Sequence, residues 1–110
     1  MTKGGKKLAG LYQIDELEIA KPVRWDGKWR ILIFDIPENT RISREALRGK
    51  LKELDFAQLQ KSVWVHAYPC QEELEMLKQF FSFADHHYIF IETNRLDGHE
   101  QRLKKSFGLK

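Results

Sequence analysis

The feature that most restricts the fold is the run Ile31-Leu32-Ile33-Phe34, followed at once by Asp35-Ile36-Pro37. Such a run, bounded by an acid and a proline, predicts a strand buried on both faces, hence an interior strand of a sheet. Pro37 cannot donate to a ladder, so the strand must end there. In sheets covered by helices, side chains at the carboxyl ends of strands fan out within reach of ligands. Asp35 is therefore the first candidate for chemistry.

The patterns on either side of this strand change period. Trp25-Asp26-Gly27-Lys28-Trp29 has turn chemistry between two tryptophans, which read as packing residues at the strand start. After Pro37 comes a loop, Glu38 to Arg41, and Ser43 is placed as an N-cap, with Ile42 and Leu47 as a hydrophobic staple. Leu47, Leu51 and Leu54 then recur at helical spacing and predict a helix over 43–54. Asp55 stands where that helix must stop, in a position that prefers Gly or Asn.

From Phe56 to Tyr68 the period is two, which suits two short strands with a bend near Lys61, or one bent and bulged strand. This alternation puts Leu59, Val63, Val65 and Ala67 on one face. Gln58, Gln60, Ser62, Trp64 and His66 fall on the other, so Trp64 is expected to stand exposed until another chain covers it. Gln71 to Phe81 is a second amphipathic helix, Tyr88 to Glu92 a last core strand, and 99–107 a short basic helix docked by Leu103 and Phe107. The expected order is βαββαβ, an α+β, ferredoxin-like arrangement: an antiparallel sheet with two helices on one face. Residues 1–23 are expected to be an N-terminal extension and 24–110 the domain itself. A chain of 110 residues supports one core of this size.

The net charge of +3 permits nucleic acid without requiring it, and the distribution is more informative. Residues 41–52 carry five basic side chains against one Glu, and 102–110 carry four basic residues and no acid. Arg41, Arg44, Arg48 and Lys52 could neutralise phosphates, in a sequence-blind and salt-sensitive way; the plain alternative is a solvated helix face. For Asp35 the plain alternative is a turn cap before Pro37. A divalent cation needs about six oxygen ligands, so one acid per chain would serve only if a two-fold axis supplied its twin. Adjacent His86 and His87, placed with rings apart on a strand, suit one metal badly. Cys70 beside His66 lacks an orienting third group. The single cysteine excludes an internal disulfide. No apolar run approaches a membrane span and no signal-peptide pattern is seen, so the expected location is cytoplasmic.

Several stretches together resemble a known family: Trp25 to Arg30, Phe34-Asp35-Ile36-Pro37-Glu38, the arginine-studded helix 43–54, Leu59 to Trp64, and Tyr68-Pro69-Cys70. They are similar to the Cas-two family of CRISPR-associated adaptation proteins. More narrowly, they resemble the branch that is like the C-terminal domain of PaaX-type phenylacetate repressors. The resemblance implies a homodimer that binds duplex DNA beside a CRISPR integrase subunit. Some members also cleave RNA or DNA with Mg²⁺, or with Mn²⁺ in its place. By position, Asp35 would be the catalytic and metal-binding residue, Arg41 and Arg44 basic contacts, and Ser62, Val63 and Trp64 the matching strand, with Ser62 and Trp64 at the dimer interface. The alternative implied is the dimerisation and effector domain of a PaaX-type repressor. Residues 1–20 then read like the tail of a winged-helix domain. Asp55 departs from the glycine usual in the family at the end of the first helix.

Overall fold

In a computed structural model of the chain, residues 14–36 and 44–109 are described. The loop with Pro37, Glu38 and Arg41, the Ser43 cap, its Ile42 staple partner and the first thirteen residues lie outside them. The order is β1 (Trp29–Phe34), α1 (Arg44–Glu53), β2 (Ala57–Gln60), β3 (Val63–His66), α2 (Gln71–Phe81), β4 (Tyr88–Thr93) and α3 (Glu100–Ser106). One-turn 3₁₀ segments occur at Ile14–Glu16 and Asp85–His87. The strands form one antiparallel sheet in the order β2-β3-β1-β4, with β1 in the interior as expected. This is the ferredoxin-like α+β architecture.

The register divides the side chains of β1 between two faces. Leu32 lies opposite Trp64 on β3 and Phe90 on β4, while Ile31 and Ile33 lie opposite Ile91 and Ile89. Leu32 and Trp64 are fully enclosed with Leu47 and Leu51 of α1 and Leu74 and Leu77 of α2, so both helices cover that face. On the other face, Ile31 and Ile33 are only half-buried, and Ile89 and Ile91 are 57% and 42% exposed. The expectation of a strand buried on both sides is thus corrected: the apolar run reflects one covered face and one partly bare one.

A second correction concerns Trp64. It is 1% exposed and belongs to the helix-covered core, so it has no surface with which to meet another chain as the sheet stands. Interleaved polar residues disguised this face. His66 is enclosed beside Trp64 because both its ring nitrogens are used: Nε2 donates to the Leu54 carbonyl (2.9 Å) and Nδ1 accepts from the Tyr68 N–H (3.1 Å). The ring joins the end of α1 to the end of β3. Between Gln60 and Val63 the chain turns in two residues, with a register shift at Gln58/Gln60, so the two-strand alternative holds.

The end of α1 behaves as Asp55 suggested. Its φ of 70° is left-handed, a conformation that costs a residue with a Cβ about 1 kcal/mol or more. Ser82 ends α2 in the same way, at φ 58°. The buried part of the N-terminal extension, Ile14 and Ile19, joins the common core.

Candidate nucleic-acid interface

The backbone at the end of β1 is held from both sides. The Phe34 N–H donates to the Ser62 carbonyl (3.0 Å) and the Asp35 N–H to the His87 carbonyl (2.8 Å). This pins the strand end between the β2–β3 turn and the 3₁₀ segment before β4. The Asp35 side chain stands exposed, and its carboxylate makes no hydrogen bond or ion pair among the described residues. The turn-cap alternative therefore lacks the bond it would need within that set.

Asp35 lines a cleft of about 300 Å³ between the sheet and α1. Its floor is apolar, with Phe34, Leu47, Leu51 and Trp64, and its rim carries Arg44, Arg48, Lys61 and Ser62. Arg44 comes from the first turn of α1 and Arg48 from the next, one above the other, because residues four apart share a helix face. Arg48 keeps a loose, exposed ion pair with Glu45 (3.5 Å), which in water contributes little and leaves the guanidinium recruitable. The structure thus brings together Asp35, Arg44, Arg48 and Ser62. Lys52 sits two turns beyond Arg44, about 12 Å further along the axis, and does not line the cleft. Arg41 lies outside the described residues.

Lys61 was not singled out in the sequence, although its position follows from topology. Strand β3 is antiparallel to β1, so the turn that feeds β3 must return to the end of the sheet where β1 finishes. A lysine in that turn is delivered to the Asp35 cleft.

The arrangement suits an anion better than a cation. Among the described residues one carboxylate shares the cleft with three basic side chains, whereas a Mg²⁺ site typically draws on one or two carboxylates without competing cations. Among the described residues no group of three His, Cys, Asp or Glu side chains is placed to hold a metal. The described residues of a single chain do not by themselves supply the donor set of a divalent ion. His86 and His87 lie on the 3₁₀ segment, with ring centroids 4.3 Å apart, rather than splayed on a strand. His87 Nδ1 is occupied by the Ala84 N–H (3.1 Å). Burial pushes the Cys70 thiol up to about 12, so it stays protonated and unreactive at neutral pH. Burial likewise lowers His66 to about 4, which keeps its ring neutral.

Fold and cleft together define the class: a ferredoxin-like α+β domain with a basic notch at the end of its central strand. The family model described as the PaaX protein central Cas2-like domain matches residues 22–104, and the chain belongs to that family. No curated protein and no solved structure matches it. Among the described residues no helix is long and apolar enough to cross a membrane.

Proposed function

We propose that the chain serves a PaaX-type transcriptional regulator as its dimerising domain and adds contacts to the nucleic-acid backbone. The observation that carries the backbone contact is the rim of Arg44, Arg48 and Lys61 around a cleft wide enough for a phosphate. Arginine forks and a lysine ammonium together match a phosphodiester oxygen set, whatever the base sequence. The dimer is supported by the exposed Ile89 and Ile91, which lie beside the half-buried Ile31 and Ile33. An apolar sheet face of this kind is stabilised when a second copy excludes water from it. The proposed interface is this face, since Trp64 is enclosed in the core.

The test is duplex binding by fluorescence anisotropy across a salt series. The wild type should bind with a steep salt dependence, and R44Q/R48Q/K61Q should lose about tenfold in affinity at moderate salt. Equal binding by both proteins would remove the cleft from the proposal.

A second reading is favoured by the exposed, unpartnered Asp35 at the end of the central strand. In it the chain is a CRISPR adaptation subunit with metal-dependent endonuclease activity, whose acid is completed by the acid of a second copy. A purified protein that leaves RNA and duplex DNA intact with Mg²⁺ and with Mn²⁺ would eliminate the nuclease. A neighbouring integrase gene and repeat array, as against a catabolic operon, separates the two genetic settings.

A further inference from the structure

The basic segment after β4 is not used by the cleft. Helix α3 docks by Leu103, which is fully enclosed, and by Phe107, whose ring lies 6.2 Å from Trp29 and 5.2 Å from His66. It ends in a Schellman motif. The Leu109 N–H donates to the Lys104 carbonyl (2.7 Å) and the Gly108 N–H to the Lys105 carbonyl (3.2 Å), with Gly108 at φ 70°. The helix is therefore clamped at the amino end of β1, and its basic side chains are Arg102 and Lys105, both exposed, and the half-buried Lys104.

None of these three forms an ion pair among the described residues. The acids close by are already engaged. Asp26 and Glu92 hold Arg30, and Glu100 accepts a hydrogen bond from the Trp29 indole (3.4 Å). Arg24 and Lys28 add charge from the turn beside Trp25, whose ring packs 4.6 Å from Trp29. Across this turn, Arg30, Glu92 and α3, six basic side chains stand against three acidic ones. Basic charge that a fold leaves unpaired on a rigid helix keeps repelling itself until an anion arrives.

We propose that this α3 face is a second phosphate-backbone contact, separate from the Asp35 cleft and lying at the opposite end of the sheet. The six residues of β1 place the two about 17 Å apart, so that one polynucleotide backbone could engage both. Trp25 is packed against Trp29 and, among the described residues, the face offers no free aromatic ring for base stacking, so it holds the backbone and not bases. This inference rests on the nucleic-acid reading above and extends it.

The experiment compares the wild-type chain, the cleft variant R44Q/R48Q/K61Q, the helix variant R102Q/K104Q/K105Q, and a charge-retaining R102K/K104R/K105R, each on a short labelled duplex at several salt concentrations. The helix variant should bind about tenfold more weakly and lower the slope of log affinity against log salt by about 2, while the charge-retaining protein keeps both. Unchanged affinity and slope in the helix variant, with binding lost in the cleft variant, would overturn the inference and leave the cleft standing. No binding by the wild type would remove both. Retention of a poly-glutamate peptide in preference to the duplex, abolished in the helix variant, would reassign the face to an acidic protein partner and overturn the proposal. Far-ultraviolet circular dichroism of all four proteins should coincide, since none of the substituted side chains belongs to the buried core.

Discussion

The two ends of β1 each carry one charged residue, and the chain treats them in opposite ways. Arg30 is 3% exposed, yet all its needs are met. It grips Asp26 with both terminal nitrogens (3.0 and 2.6 Å), Glu92 through Nε (3.0 Å), and the carbonyls of Lys28 and Ala67 (3.0 and 2.9 Å). Five residues downstream, Asp35 is exposed and its carboxylate unpartnered among the described residues. Arg30 is charge invested in architecture, tying the entry turn, β4 and the end of β3 to the central strand. Asp35 contributes nothing comparable to the fold, which frees it to act on whatever enters the cleft.

The sharpest way to break this contrast is to remove Arg30. Arg30→Leu leaves two carboxylates and two carbonyls without their donor, and breaking a buried pair costs several kcal/mol. Asp26 and Glu92 are partly exposed and can rehydrate, so the expected loss is about 3–4 kcal/mol, read from urea unfolding. A loss below about 1 kcal/mol would show the network to be ornamental.

His66 gives a comparable effect that pH can switch. Its ring titrates near 6.5 when unfolded and at about 4 when folded, so below 6.5 the unfolded chain binds a proton that the native ring refuses. Stability should be full above pH 6.5 and fall by about 3 kcal/mol as pH drops toward 4. The same pH series on His66→Gln should be flatter over that window. Asp26 works lower: its hydrogen bond to Arg30 holds its carboxyl below the usual range, so its share of stability is present above the unfolded value and disappears in strong acid.

Smaller effects sharpen the functional end. Gly49 lies inside α1 with open space where a Cβ would go, so Gly49→Ala should stabilise the helix beneath Arg44 and Arg48 by about 1 kcal/mol in thermal unfolding. Asp35→Ala should change stability by no more than about 0.5 kcal/mol, in contrast to Arg30. A large loss there would mean that Asp35 is structural after all.

Much of this was readable in the residues. The leucine stripe of α1, the hairpin at Lys61 and the docking of α3 by Leu103 and Phe107 follow from local period, which the tertiary structure did not need to override. The two faces of β3 were not readable in the same way. Alternation counts apolar positions, and it assigned the side with Gln58 and His66 to water. Trp64 and His66 on that side are buried like Val65 and Ala67 on the other, because each nitrogen of His66 finds a backbone partner 12 residues and two residues away. Arg30 was hidden for a related reason: a buried guanidinium is recognisable only once Glu92, 62 residues on, is known to pair with it. At the cleft, Asp35 and the arginines were visible as candidates, whereas Lys61 needed the strand directions before it could be placed there.

The central claim is that the Asp35 cleft receives a phosphate and not a metal ion, and Asp35→Asn tests it most directly. Without divalent metal, removing the Asp35 charge from the rim should tighten duplex binding by about twofold to fivefold, since it relieves repulsion of the incoming phosphate. Weaker binding by Asp35→Asn, or Mg²⁺-dependent strand cleavage by the wild type that this substitution abolishes, would contradict the account.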